Sequence, residues 1–244
     1  MNAIETKTVR ELAIELPHAT RVLEKFGIDY CCGGKRPLDE ACEASGSSLS
    51  EVLKALETSA QTPPVGGHDL ASGSLAELID HIVKTHHKFT REELARLQAL
   101  TAKVNSVHGK NHPELQQIQD TFAGLMQELL IHLMKEEQIL FPYIIRVEEA
   151  SAQQDPLPPA PFGSVENPIR MMSEEHDSAG DALRAIRSCS NNFRVPDDAC
   201  ISYRTLYAAL EGFEADLHQH IHKENNSLFP RAIAMERNLG RKSA

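Results

Sequence analysis

At 244 residues, 41% hydrophobic and 25% charged, the chain is long enough for one or two globular domains and too apolar to be disordered. A net charge of −10 would repel nucleic acid, and neither a signal-peptide core in "MNAIETKTVREL" nor a run of about 18 apolar residues occurs, so nucleic-acid and membrane partners are excluded and a cytoplasmic location is expected. Five cysteines without a C-x-x-C pair argue against a disulfide framework or a structural zinc site, while twelve histidines with no tryptophan are the unusual feature.

Apolar steps of three and four residues predict short helices near 9–16, 19–26, 38–44 and 49–56, a small helical N-terminal domain over residues 1–58. Between the second and third stands "DYCCGGK", residues 29–35. Adjacent cysteines bridge each other only through a strained small ring, so Cys31 and Cys32 are either exposed for chemistry or fill space. Cys42, Cys189 and Cys200 are expected to be packing residues. A Pro-, Gly- and Ser-rich linker follows over 59–74.

Residues 75–244 then carry four longer helical patterns, near 75–104, 114–147, 169–188 and 199–237. A connection with five prolines separates the second from the third. The expected fold is all-α: a four-helix bundle preceded by the small domain. The bundle contains a repeat. "HLMKEEQILFP" from His132 and "HIHKENNSLFP" from His220 share H-x-x-K-E-x-x-x-L-F-P, 88 residues apart, and His87 and His176 stand upstream of them, 89 apart. Each helical hairpin thus brings one histidine on its first helix and an H-x-x-x-E pair on its second.

The helical phase places these residues in the core. On the second long helix the apolar stripe runs Ile118, Phe122, Leu125, Leu129, His132, Glu136, Ile139, Tyr143; on the third, Ile169, Met172, His176, Ala179, Leu183, Ile186; on the fourth, Phe213, Leu217, His220, Glu224, Leu228. The first helix admits either His86 or His87, and the 44-residue separation of His176 from His220 is better matched by His87 to His132, at 45. Glu214, His218 and His222 fall off the stripe and read as a solvated face. One H-x-x-x-E pair is ordinarily a surface contact, but two at equivalent core positions would bury carboxylates at a cost of several kcal/mol without a counter-charge. A metal centre offsets that cost.

Four imidazoles and two carboxylates are too many ligands for one tetrahedral zinc and suit two six-coordinate ions, iron in preference to manganese. Glu136 and Glu224 would bridge, with His87 and His132 completing one ion and His176 and His220 the other. Glu128 and Glu175 are candidates to orient ligands or pass protons.

These repeats, with "EEHDSAG" from Glu174 and "KENNSLFPRA" from Lys223, resemble the hemerythrin-like di-iron bundle. Together with the "DYCCGGK" block, which looks like an ScdA-type N-terminal domain, they resemble the bacterial iron–sulfur cluster repair di-iron proteins over nearly the whole chain. The resemblance implies two non-haem irons, oxo- and carboxylate-bridged, held by His87, His132, Glu136, His176, His220 and Glu224. It also implies repair of clusters damaged by nitrosative or oxidative stress, by iron donation or by reduction of nitric oxide, between which the sequence does not choose. Damaged iron–sulfur proteins or the cluster-assembly machinery would be the partners, and nitric oxide or oxygen the small ligands; a homodimer is left open. Hemerythrins proper have a fifth histidine where this chain has Gly180, and His108 in "NSVHGKNHPEL" resembles a family histidine that would serve as a ligand if its loop folds back. Cys31 and Cys32 are then read as thiols exchanging electrons, iron or nitrosyl groups with the site, helped by Gly33, Gly34, Lys35 and Arg36. The rival reading is a hemerythrin-like protein that binds or senses oxygen or nitric oxide and catalyses nothing.

Overall fold

A computed structural model describes residues 7–16, 19–30, 34, 36–59 and 73–242, with Lys242 in its backbone only. Cys31 and Cys32, and most of the expected linker, lie outside the described residues. Among the described residues all regular structure is helical. None of their helices is long and apolar enough to cross a membrane. The chain divides into two compact units, Met1–Ser74 with His218–Arg231, and Leu75–Leu217 with Ala232–Ala244.

The first unit contains α1 (Val9–Glu15), α2 (Ala19–Lys25), α3 (Leu38–Ser45) and α4 (Leu49–Ser59). A capping box starts α1: the Thr8 hydroxyl accepts the Glu11 N–H, and the Glu11 carboxylate accepts the Thr8 N–H at 2.8 Å. Gly46 ends α3 in the left-handed region at φ 69°, returning its N–H to Cys42 and Glu43 carbonyls. Val9, Leu12, Leu23, Leu38, Val52 and Leu56 close the core around Cys42. A Cβ at Gly34 would stand 2.7 Å from the Tyr30 carbonyl oxygen, so only glycine fits there.

Segment 218–231 belongs to this unit through Tyr30. Its ring meets His222 and His218 edge-on at 5.2 and 6.3 Å, its carbonyl accepts from Asn226 Nδ2 at 3.2 Å, and its hydroxyl accepts from Gln219 Nε2 at 3.0 Å. Burial holds the His222 imidazole near a pKa of about 4. The expectation of a solvated face at His218 and His222 is therefore corrected: both are half-buried.

The second unit is built from α5 (Leu75–His81), α6 (Lys88–His108), α7 (Glu114–Lys135), α8 (Phe141–Gln153), α9 (Glu166–Cys189) and the parts outside 218–231 of α10 (Ile201–Lys223) and α11 (Phe229–Lys242). The four expected long helices are present, but three are interrupted by a π-helical turn, at Ile82–His87, Glu136–Leu140 and Glu224–Leu228. Each π turn begins or ends on an expected metal ligand. Its i→i+5 bonding admits one residue more than an α turn and shifts the face that follows. That shift corrects one stripe position: Ile139 is half exposed and Leu140 takes the core place.

Carboxylates serve helix ends here. Glu148 accepts the Leu75 and Ala76 N–H groups at 2.6 and 2.8 Å, satisfying the first turn of α5. Glu236 on α11 accepts from the Tyr143 and Ser164 hydroxyls, both at 2.7 Å, and from the Val165 N–H at 2.9 Å, tying α8 and the start of α9 together. Glu214 is also buried, bound in a fork by Arg187, which corrects the expectation that it faces solvent.

Candidate metal centre

His87 closes the first π turn, His132 ends one helical turn before Glu136, and His176 lies in the middle of α9. All four side chains are buried, His87 and Glu136 completely. His87 Nδ1 lies 2.7 Å from Glu137, whose carboxylate also takes Arg91 at 2.8 Å, and Phe141 stacks on the imidazole at 5.6 Å. Burial raises the Glu137 pKa, but the bonds from Arg91 and His87 outweigh it and hold the group below the usual carboxylate range. His132 Nδ1 lies 2.8 Å from Glu175, which also contacts Lys135. The bond from His132, against the opposing effect of burial, holds Glu175 at about 2.

Ionised carboxylates only accept, so both imidazoles carry their proton on Nδ1 and turn the Nε2 lone pair inward. Those lone pairs meet carboxylate oxygens and a further imidazole. His87 and His132 Nε2 each lie 3.4 Å from an oxygen of Glu136, and His132 Nε2 lies 3.1 Å from His176 Nε2. In the other unit, His220 Nε2 lies 3.0 Å from Glu224 Oε1. The His87 and His132 lone pairs and the Glu136 oxygens they face repel one another unless a cation sits among them. The donor set fits a metal on that ground.

Two groups of four buried side chains each bring one ligand atom to within 4.8 Å of the others: His87, Glu136, His220 and Glu224, and His132, Glu136, His176 and Glu224. Both glutamates occur in both groups. The histidines do not sort by hairpin, as the sequence reading had it; each group takes one from each. The repeat supplies the reason. Exchanging the hairpins replaces His87 by His176, His132 by His220 and Glu136 by Glu224, which turns one group into the other.

The remaining expected residues are distributed differently. Glu175 reaches a ligand; Glu128 is exposed on α7. His108 ends α6 with Nε2 at 3.2 Å from Cys200 Sγ and is in neither group. His86, buried beside His87, is held by Asp216 at 2.9 Å. Gly180, one turn beyond His176, offers no side-chain donor. Glu137 was missed by sequence reasoning. The available signal was its position: Glu137 adjoins Glu136 as Glu175 adjoins His176. Cys200, expected to pack, is exposed, whereas Cys42 is buried.

Comparison with known proteins agrees with this architecture. Residues 78–232 match the Hemerythrin HHE cation binding domain, and residues 5–60 match ScdA_N, a domain of unknown function. The chain is 39% identical to a probable iron-sulfur cluster repair protein of Haemophilus influenzae, over 91% of this chain and 95% of the relative. It is 35% identical to the iron-sulfur cluster repair protein YtfE of Escherichia coli O1:K1, over 96% and 100%, and 36% identical to YtfE of Citrobacter koseri, over 93% and 96%. Repeat, buried donor groups and end-to-end similarity agree, and the chain belongs to the family of iron–sulfur cluster repair proteins that join an ScdA_N domain to a hemerythrin HHE cation-binding domain.

Proposed function

We propose that this chain holds two non-haem iron ions and uses them to repair iron–sulfur clusters damaged by nitrosative or oxidative stress. The observation that carries the two-ion reading is that Glu136 and Glu224 occur in both donor groups. Two carboxylates common to two imidazole pairs suit a bridged pair, with His87 and His220 completing one ion and His132 and His176 the other. Nitrogen and oxygen donors without thiolate favour iron or manganese over a thiolate zinc site.

When bound, iron supplies one-electron chemistry and affinity for diatomic ligands such as nitric oxide. The protein's own residues do the rest. Glu137 and Glu175 keep the Nδ1 protons away from the metal face and make the imidazoles better donors. Gly180, one turn beyond His176, would contribute no side-chain donor to the ions. Cys31 and Cys32 are assigned as thiols that accept iron or nitrosyl groups, for which soft sulfur is suited. Damaged iron–sulfur proteins are the partners, as the relatives' names imply for those relatives.

Purified aerobically, the protein should contain about two irons per chain, and Glu136→Ala or Glu224→Ala should lose both, whereas His87→Ala should mainly weaken one. One tightly held zinc and no iron would overturn the reading. Repair is separated from oxygen carriage by the double variant Cys31→Ala, Cys32→Ala. Its iron content should match the parent's while recovery of a damaged iron–sulfur enzyme slows. Equal repair rates would return the cysteines to a packing role, and full function after removal of residues 1–60 would favour the carrier.

A further inference from the structure

At 1.5 Å per residue, α6 carries His108 about 30 Å from His87, far from the metal groups. There His108 meets Cys200, the residue immediately before α10. Cys200 acts as the N-cap of that helix: its carbonyl accepts the Arg204 N–H at 3.1 Å. Its exposed sulfur lies 3.2 Å from His108 Nε2, within reach of proton transfer. A neutral thiol is a weak acceptor with a proton of its own to place. His108 is placed to take that proton.

The imidazole is held from the side as well. Tyr203 packs against His108 at 5.3 Å and against His112 at 5.4 Å. His112 is fixed between Asp198 at 3.0 Å and Glu114 at 3.1 Å. The groups facing the pair are therefore His112 and Glu114 from the start of α7, and Asp198 and Tyr203 from the approach to α10, with both carboxylates engaged by His112. A nucleophile within reach of an imidazole that is itself held in place is the arrangement of an activated thiol. By contrast Cys42 is enclosed in the first unit's core, where burial pushes its thiol up.

We propose that Cys200 and His108 form a nucleophilic thiol–imidazole pair that exchanges with low-molecular-weight disulfides, making Cys200 a site of reversible S-thiolation. His108 takes the Cys200 proton as that sulfur attacks one sulfur of the disulfide, a Cys200–sulfur bond forms, and the old sulfur–sulfur bond breaks with its electron pair on the departing thiolate. His108 gives that thiolate its proton. The disulfide is the only oxidant, and excess thiol reverses the step. This site does not depend on the iron reading.

The test uses the iron-loaded full chain and the aromatic disulfide 5,5′-dithiobis(2-nitrobenzoate), with labelling of each cysteine followed by peptide mass spectrometry. Cys200→Ser assigns the labelled peptide. Because rate follows thiolate fraction, Cys200 should label at least about tenfold faster than a free cysteine peptide at about pH 6, and His108→Asn should slow it about tenfold there but little at about pH 9.5. A rate profile with its midpoint at or above the ordinary thiol value of about 8.5 would overturn the proposal, as would an unaltered rate in His108→Asn. Should that variant fail to fold, the parent's profile decides alone.

Discussion

An imidazole can donate to a metal only from the nitrogen that lacks a proton, and the carboxylates of Glu137 and Glu175 make that choice for His87 and His132. Glu175→Gln keeps an acceptor near Nδ1 but removes its charge and its attraction for Lys135. Iron affinity measured by competition with a chelator should fall roughly 10- to 100-fold, with helical content unchanged. Parental affinity would mean that Glu175 serves Lys135 alone. His112 tests a different electrostatic contact. Its pKa is raised, chiefly by the bond with Asp198, so that stabilisation is complete below the unfolded value near 6.5 and is lost as pH rises through the higher folded value. Asp198 is lowered chiefly by His112, so its share is present above about 3.8 and is lost as pH falls through the lower folded value. The His112–Asp198 coupling in a double-mutant cycle should therefore be largest between about pH 4 and 6.5, weaken by about pH 8.5, and shrink with added salt. A coupling independent of pH would exclude a charged pair.

At the scale of elements, the π turns and the buried carboxylates explain how long helices accept polar residues inside their core. Glu136 and Glu224 each open a π turn, where the widened backbone alters the phase of the residues that follow. Glu236 fastens α8 and the start of α9 to α11 through three donors. Glu236→Ala would leave the buried Tyr143 hydroxyl and Val165 N–H without that acceptor. At roughly 1–3 kcal/mol for each such group, unfolding in urea should show a loss of about 3 kcal/mol. A loss below about 0.5 kcal/mol would show that water or a neighbour replaces the carboxylate without difficulty.

For the whole molecule, metal binding and stability are linked. The carboxylates of Glu136 and Glu224 are fully buried, and His87 and His132 turn lone pairs toward Glu136, so a cation among them relieves their repulsion in the folded chain. Any ion that binds only the folded state stabilises it by mass action. Chelator-stripped protein should remain helical but melt at a lower temperature, and ferrous iron added without oxygen should restore the melt. An identical Tm with and without metal would show that these side chains are accommodated by other means.

Helical periodicity alone determined most of this architecture: four long amphipathic helices, a duplicated hairpin, and polar residues on the buried stripes. It selected His87 over His86 because the internal repeat fixes spacing as well as phase. These are local properties, carried by steps of three, four and about ninety residues. Tertiary structure decided the rest. His87 meets Glu137, Glu214 meets Arg187, and Cys200 meets His108 across separations that no single-helix pattern encodes. The pairing of histidines across hairpins and the replacement of Ile139 by Leu140 belong to the same class. A periodic pattern specifies which face of a helix leaves water. Which side chain waits on the other side, and where a π turn shifts the phase, depend on how the helices pack.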